Sequence, residues 1–332
     1  MQRANLIAGL VTTLVVGAVA LAGYVFLVDE DAPLPPPSVP QAREEIRYLG
    51  LHVFQAVWSP DGTRLGAVGM MGGAQIWSYP QREPLYQVDG EIELVLALDW
   101  SPDGSRLATG SDTDMVSVWA AEDGSLLYRL PGHGSDITSV AWSPDGTLLA
   151  SSSYDRNVMV WSFPAPGEFE ARTFSGHDAI VKQVVWSPDG TRLASSSYDT
   201  TLRVWDLASG ETLLILTGHT DMARGLAWSP DGEQLVSGSL DGTLRIWDAR
   251  SGELLQTLDN NAEAGESIVF APDGRRVAVG GGNSVRVFDA ERWTEISHIE
   301  HVIPVRAVAW SRDGELLATA AADNWIRVWA LR

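Results

Sequence analysis

The chain has 332 residues, a formal net charge of -20 at pH 7 and no cysteine. Because nucleic acids and anionic lipid headgroups carry the same sign of charge, this balance excludes a surface built to bind either of them. The lack of cysteine excludes disulfides and a lipid-modified amino-terminal cysteine, and the sequence has no Asn-x-Ser/Thr site for N-glycosylation.

An uncharged, largely apolar segment covers residues 6–28, which is 23 residues. About 20 such residues cross the hydrocarbon core of a bilayer as a helix, so residues 1–28 are predicted to form a transmembrane signal-anchor. A cleavable signal peptide is the alternative, because Ala20-Leu21-Ala22 has the small-x-small form of a cleavage site. The apolar run continues to Val28, however, and a cleavable segment typically has only about 7 to 15 apolar residues.

The charges that flank this segment predict its orientation. Arg3 precedes the span, acidic residues 29–31 follow it, and the next basic residue is Arg43. The positive-inside rule then places the amino terminus in the cytoplasm and the rest of the chain outside, as a single-pass membrane protein with a periplasmic or surface domain. A stripe of small residues is compatible with self-association of the helix: Gly9, Thr13 and Gly17.

Residues 29–42 are acidic and rich in proline, which is typical of a stiff, extended linker. The first 42 residues contribute one arginine and three acidic residues, a net -2, so -18 remains on residues 43–332. The preferred interpretation of this charge is solubility, and a basic partner is the alternative. Lys182 is the only lysine beside 22 arginines, which is typical of a GC-rich, bacterial genome.

From residue 43 onward the sequence repeats itself. The motif Trp-Ser-Pro-Asp-Gly or a near variant occurs seven times, 40 to 44 residues apart, at Trp58, Trp100, Trp142, Trp186, Trp228, Phe270 and Trp310. A second aromatic follows after 18 or 19 residues, at Trp77, Trp119, Trp161, Trp205, Trp247, Phe288 and Trp329. This period is typical of a radial array of four-stranded units. Residues 43–332 are therefore predicted to form an all-β, seven-bladed propeller.

The fourth unit illustrates the local pattern. Short apolar and β-branched runs alternate with turn residues between 180 and 203. Pro188 fixes φ in the first turn and Gly190 tolerates positive φ, so the two predict a tight hairpin. Small residues at 194–197 suit the crowded inner strands, and residues 211–217 are predicted to form the outer, fourth strand.

Two dipeptides carry a resemblance to a known family. Gly-His precedes three units at His133, His177 and His219, and Trp-Asp closes two third strands at Trp205-Asp206 and Trp247-Asp248. With the seven-fold period, these residues make the chain similar to WD40-repeat propellers. The resemblance implies a hydrogen-bonded set of four side chains in units three, four, five and seven: His133, Ser151, Asp155 and Trp161; His177, Ser195, Asp199 and Trp205; His219, Ser237, Asp241 and Trp247; His301, Thr319, Asp323 and Trp329. Units one, two and six lack the histidine.

The resemblance implies a non-catalytic platform that binds other proteins and needs no cofactor. Serine, histidine and aspartate also form catalytic triads, but a set repeated in four units is expected to be structural. No hydrolase, zinc-protease or nucleotide-binding motif is present. Asp112-Thr113-Asp114 is similar to the start of a calcium loop but lacks its Gly and final Glu, so a polar turn is predicted and no metal is expected.

Two other functions remain open at this point. An extracytoplasmic enzyme or ligand-binding propeller would need a non-repeating polar cluster at its axis, and the candidates are scattered along the chain: His52, Lys182, Glu266 and Arg306. A TolB-like periplasmic propeller shares the Ser-Pro-Asp-Gly hairpins. The Gly-His and Trp-Asp pairs, and seven units instead of six, argue against that fold.

The sequence also predicts how the ring closes. The last unit ends after its third strand, and residues 44–49 are similar to outer strands such as 253–258. Residues 44–49 are therefore expected to pair with the last unit and to cover its open edge.

A partner site is predicted on the face that carries the turns between second and third strands, in units three to five. The candidates are large residues at these turns and at the starts of first strands: Tyr154, Tyr198, Leu240, Ile180, Lys182, Met222 and Arg224. Apolar and aromatic anchors beside arginine are typical of binding hot spots. The alternative site is the turn Met70-Met71-Gly72-Gly73 of the first unit.

Overall fold

The computed structural model describes residues 42–47, 51–70, 73–88, 94–260 and 265–331. These residues belong to one compact unit, Pro37–Arg332. Within the described ranges every named secondary-structure element is a β-strand. No helix in these ranges is long and apolar enough to cross a bilayer. The predicted span over residues 6–28, and the predicted linker as far as residue 41, lie outside the described residues.

The described strands form seven antiparallel sheets of four strands each, which confirms the predicted seven-bladed, all-β propeller. Blades 1 to 3 consist of β2 (Leu51–Trp58), β3 (Arg64–Met70), β4 (Ala74–Ser78) and β5 (Pro84–Val88); β6 (Val95–Trp100), β7 (Arg106–Ser111), β8 (Val116–Ala120) and β9 (Leu126–Leu130); β10 (Ile137–Trp142), β11 (Leu148–Ser153), β12 (Asn157–Ser162) and β13 (Glu170–Ser175). Blades 4 and 5 consist of β14 (Val181–Trp186), β15 (Arg192–Ser197), β16 (Leu202–Asp206) and β17 (Thr212–Leu216); β18 (Ala223–Trp228), β19 (Gln234–Ser239), β20 (Thr243–Asp248) and β21 (Leu254–Asp259). Blades 6 and 7 consist of β22 (Ser267–Phe270), β23 (Arg276–Gly281), β24 (Ser284–Asp289) and β25 (Glu295–Glu300); β26 (Val305–Trp310), β27 (Leu316–Ala321), β28 (Trp325–Ala330) and β1 (Ala42–Arg47).

The hydrophobic core lies between the blades. Each of the seven buried clusters combines residues from two adjacent blades, and the first strand of each blade contacts the first strands of both neighbours. The predicted small residues at 194–197 are fully buried on β15, a strand that contacts the next blade. A single blade therefore has no core of its own.

The hairpin between first and second strands folds as the sequence predicts. In blade 4, Gly190 adopts φ +69° and its N–H donates to the Ser187 carbonyl over 2.9 Å. The Asp189 carboxylate accepts hydrogen bonds from Ser187 Oγ (2.5 Å) and from the Thr191 N–H (3.0 Å). These hydrogen bonds, led by that of Ser187, lower the pKa of Asp189. The carboxylate thus fixes the turn as long as it is ionised.

Arginines at the start of second strands clamp adjacent blades together. The Arg106 guanidinium lies 4.3 Å from the ring centroid of Trp142 in the next blade and donates to the Gly146 carbonyl over 2.7 Å. The same arrangement recurs at three other blade interfaces: Arg64 with Trp100, Arg192 with Trp228, and Arg276 with Trp310. Cation–π contacts contribute about 0.5 to 2 kcal/mol each, so these arginines stabilise the ring.

The ring closes through the amino-terminal strand. Strand β1 pairs antiparallel with β28, with Ile46 opposite Ile326 and Arg47 opposite Trp325. The predicted strand was 44–49, so the observed strand lies two residues earlier in the sequence. Ile46 is 4% exposed and packs in the cluster between blades 7 and 1 beside Val53 and Val328.

Ile46→Ala is expected to lower the free energy of unfolding by about 2 to 5 kcal/mol, because it leaves a cavity in the core that holds the first and last blades together. Urea unfolding followed by tryptophan fluorescence measures the change. Ile215→Ala is the control, since Ile215 is 51% exposed on outer strand β17. Equal stability losses in the two variants would contradict closure through β1.

Deletion of residues 43–50 should lower the melting temperature strongly, because it removes the strand that pairs with β28. An unchanged melting curve would contradict this closure.

Candidate functional site

The turns between second and third strands place three large side chains at equivalent positions of blades 3, 4 and 5. The N–H groups of Tyr154, Tyr198 and Leu240 donate to the carbonyls of residues 136, 180 and 222, just before the first strand of the same blade, over 2.9 to 3.0 Å. Tyr154 is 44% exposed and Leu240 is 37% exposed. The turns and the starts of the first strands therefore share one face of the propeller.

Each of these turns continues into an aspartate that is held by a buried histidine. In blade 4, Asp199 Oδ2 lies 2.7 Å from His177 Nδ1, and His177 Nε2 lies 2.8 Å from Ser195 Oγ. The indole N–H of Trp205 donates to the same hydroxyl over 2.9 Å. Asp199 also accepts a hydrogen bond from the Asp178 N–H, so the turn is fixed to the segment before β14.

The same set occurs in blades 3 and 5. The Asp–His and His–Ser distances are 2.8 and 2.8 Å for Asp155, His133 and Ser151, and 2.9 and 2.8 Å for Asp241, His219 and Ser237. Trp161 and Trp247 donate to the two serines. Burial alone would raise the carboxyl pKa, but the hydrogen bonds outweigh it and lower the pKa of Asp155 and Asp241 to about 2. Both aspartates are therefore ionised at neutral pH.

Blade 7 differs from the set predicted by the sequence. Trp329 donates to Thr319 Oγ1 over 2.9 Å, but Asp323 forms its ion pair with Arg327 at 2.8 Å. Among the described residues, the buried Nε2 atom of His301 has no hydrogen-bond partner. Burial, together with the charge of Arg327, lowers the pKa of His301 to about 4.

The residue before the histidine and the contacts of the nearby arginine also differ in blade 7. In blade 4 the arginine equivalent to Arg327, Arg203, donates to the Gly176 carbonyl over 2.7 Å. A Cβ atom at Gly176 would lie 2.7 Å from Arg203 Nη1, so glycine leaves room for the guanidinium at this place. Blade 7 has Glu300 at this place, and its arginine turns towards Asp323 instead.

Two of the other predicted binding residues, Lys182 and Arg224, lie on first strands beside the channel. The Arg224 guanidinium lies 5.6 Å from the ring centroid of Tyr198 and forms an ion pair with Glu266. Ile180, Met222, Tyr198 and Lys182 are half-buried. The predicted site thus divides into exposed turn residues on the face and cations at the mouth of the central channel.

The channel brings together residues that are far apart in the sequence. Three of the four scattered axial candidates line one cavity there with a volume of about 90 Å³: Lys182, Glu266 and Arg306. His52 is not among them, since it is exposed and its Nδ1 atom lies 2.9 Å from the Ala322 carbonyl oxygen. The sequence-based reasoning missed the other members of this cavity.

A fixed spacing identifies those missing residues. Seven residues, each four positions before the first aromatic of its blade, form what is called here the channel ring: Phe54, Leu96, Thr138, Lys182, Arg224, Glu266 and Arg306. The signal was present in the sequence, because the repeat places the same position of every blade at the axis. The ring position has no residue type in common among the blades, so the repeated motifs did not reveal it.

The described residues hold no group of three or more histidine, cysteine or acidic side chains that could bind a metal ion. Asp112, Thr113 and Asp114 form the tight turn between β7 and β8, where Ser111 Oγ lies 2.8 Å from Thr113 Oγ1 and Asp114 adopts φ +62°. The alternative site in blade 1 includes residues 71 and 72, which lie outside the described residues.

Comparison with known families shows the family to which this chain belongs. The WD domain, G-beta repeat, matches residues 124–162, 169–206, 210–248, 252–289 and 294–330, together more than half of the chain. The chain belongs to the WD40-repeat family. Residues 67–142 also match the family described as the anaphase-promoting complex subunit 4 WD40 domain. A search of curated proteins found no match.

The matched WD40 repeats are out of phase with the blades by one strand. The range 210–248, for example, contains the outer strand β17 of blade 4 and the three inner strands of blade 5. Each repeat therefore links two blades. The last one, 294–330, supplies only three strands to blade 7, which explains why β1 is needed there.

His301→Phe is expected to weaken the pH dependence of stability. Because the pKa of His301 is lowered to about 4, the unfolded chain takes up a proton there between about pH 6.5 and 4 while the folded chain does not, so stability falls as the pH falls. Phenylalanine keeps the edge contact with Trp329 (5.5 Å between ring centroids) and removes the proton uptake.

Urea midpoints at pH 7 and pH 4.5 test this expectation. The control is Val302→Phe, which adds a phenyl ring at a 96% exposed neighbouring position and keeps the imidazole. If His301→Phe lost as much stability on acidification as the wild type and the control, His301 would not be a buried neutral histidine.

Proposed function

We propose that this WD40 protein is a non-catalytic, membrane-tethered scaffold that binds another protein through the face of blades 3 to 5. The observation that carries the proposal is the identity of the turn residue. Tyr154, Tyr198 and Leu240 occupy this position in three adjacent blades, whereas Asp112 and Ala322 occupy it in blades 2 and 7. Tyr154 and Leu240 are exposed and Tyr198 between them is half-buried, so these blades supply the large anchors that a protein interface needs.

The hydrogen bonds below these turns support the same proposal. In each of the three blades, the residue that follows the anchor is the aspartate held by the buried histidine. A surface that is already rigid loses little conformational entropy when a partner binds, so more of the contact energy contributes to affinity.

The geometry of the serines supports a non-catalytic function. Ser151, Ser195 and Ser237 are fully buried, and each hydroxyl oxygen lies within hydrogen-bond distance of a histidine nitrogen and an indole N–H. A nucleophilic serine must reach its substrate, and these hydroxyls are enclosed between strands. The three residue types are thus used to hold turns in place.

The proposed membrane attachment rests on the sequence alone. Residues 6–28 would span the bilayer with the amino terminus in the cytoplasm, and the proline-rich linker 29–42 would hold the propeller away from the membrane on the extracytoplasmic side. Packing of two spans through Gly9, Thr13 and Gly17 would bring two propellers together.

Tyr154→Ala and Leu240→Ala are each expected to weaken partner binding by about 1 to 3 kcal/mol, because each removes an exposed anchor without disturbing the core. The partner is first isolated by affinity capture with the intact chain from solubilised membranes, and Kd is then measured by calorimetry.

The matched control removes the same kind of surface from the rim. Leu127 and Leu255 are 44% and 49% exposed on outer strands β9 and β21, so Leu127→Ala and Leu255→Ala delete comparable apolar area there. If the rim variants lost binding and the face variants kept it, the partner site would lie on the outer strands.

Protease added to cells with a permeabilised outer layer is expected to digest the propeller, because the charges around residues 6–28 place it outside the cytoplasm. Immunoblotting against a carboxy-terminal tag measures the loss, and a cytoplasmic protein serves as the control for membrane integrity. A propeller that resists digestion until the inner membrane is broken has the opposite topology.

A further inference from the structure

The backbone aims the channel ring at the axis. In six blades the pairing of the first two strands has a register shift at the ring position; in blade 4, Val181 is opposite Ser197 and Gln183 is opposite Ser196, so Lys182 has no partner residue. Corresponding shifts occur at the other five positions: Phe54, Leu96, Thr138, Arg224 and Arg306. A bulge re-aims the side chain of the extra residue, and here it directs that side chain towards the channel.

The ring is charged on one side and apolar on the other. Four consecutive blades contribute Lys182, Arg224, Glu266 and Arg306, which is three cations and one anion. Blades 1 and 2 contribute Phe54 and Leu96. The axis therefore carries a net positive charge of two within a protein whose net charge is -20.

Only one of the three cations is neutralised. Glu266 forms its ion pair with Arg224, whose side chain is 19% exposed. Among the described residues, Lys182 and Arg306 have no ion pair or hydrogen bond from their side chains, although both line the cavity. Burial lowers the pKa of the Lys182 ammonium, and the charges of Arg224 and Arg306 lower it further against the opposing effect of Glu266.

We propose that the central channel is a binding site for a small organic oxyanion, whose carboxylate or phosphate group lies between Lys182 and Arg306 and whose hydrocarbon part faces Phe54 and Leu96. Half-buried Lys182 and exposed Arg306 line the same cavity without ion-pair partners among the described residues, and such a pair of cations favours an anion of that kind. The cavity volume of about 90 Å³ is smaller than that of a drug-sized site and the cavity opens to solvent, so it suits the charged group of a small ligand.

The charge on the channel is opposite to that of the surface around it. An acidic exterior gives no general attraction for anions, so anion binding to this protein requires a local site. Lys182 and Arg306 supply donors of different shape, a compact ammonium and a planar guanidinium, which together can hold both oxygens of a carboxylate.

Calorimetric titration of the full-length chain in a non-ionic detergent tests the proposal with three probes: sodium benzoate, inorganic phosphate and the neutral analogue benzyl alcohol. Benzoate should bind, and benzyl alcohol should bind at least about tenfold more weakly, because it lacks the charge. Phosphate should bind more weakly than benzoate, since it has no hydrocarbon part to contact Phe54 and Leu96.

Three substitutions locate the site. Lys182→Met and Arg306→Met should each weaken benzoate binding about tenfold or more, because each removes one charge-assisted hydrogen bond. Glu266→Gln should strengthen it, since the carboxylate that opposes the anion is lost and Arg224 is released. Arg250→Met is the control, because Arg250 is exposed at the turn between β20 and β21.

The single lysine provides an independent readout. Reductive methylation with ¹³C-formaldehyde labels Lys182 as the only ε-amine of the chain, and the product keeps its positive charge. Benzoate should shift this one resonance, and the melting temperature of each variant shows whether it is folded.

The proposal is overturned if benzoate fails to bind, if the methionine variants bind it as well as Arg250→Met does, or if Glu266→Gln weakens binding. Tighter binding of inorganic phosphate than of benzoate would overturn the assignment to an organic anion.

Discussion

The structure depends on apolar side chains that are buried between neighbouring blades. Because every apolar cluster combines residues from two adjacent sheets, no blade is stable without its neighbours, and the seventh cluster forms only when the last blade meets the first. Strand β1 provides that contact through its pairing with β28 and through Ile46. Ring closure is therefore a condition for the whole core, and an incomplete ring would expose two apolar sheet faces as well as an open edge.

Residue types that are often catalytic stabilise the fold in this protein, as their repetition shows. The same histidine, serine, aspartate and tryptophan recur in blades 3, 4 and 5 with distances that agree within 0.2 Å, and arginines clamp four blade interfaces. A repeated feature serves the fold at every place where it occurs. Specific binding therefore depends on positions where equivalent residues differ, as they do at the exposed turns and at the channel ring.

Blade 7 shows a predicted network that forms other contacts. Glu300 stands where blades 3 to 5 have glycine before the histidine, the nearby arginine binds Asp323, and among the described residues Nε2 of His301 has no hydrogen-bond partner. The set was predicted from residue types at matching positions. The outcome depended on which acceptor the guanidinium of Arg327 reached, and residue types alone do not give that position.

The sequence by itself determined the seven blades, the hairpins with Gly190 at positive φ, the histidine sets of blades 3 to 5 and the origin of the closing strand. Each of these follows from a local pattern that is repeated or from turn residues with few allowed conformations. Only the tertiary structure placed Lys182, Glu266 and Arg306 in one cavity while His52 lay elsewhere. Ring closure brings together residues more than 100 positions apart, such as Lys182 and Arg306. The bulges that aim these two at the axis are features of strand pairing and are not marked by a common residue type.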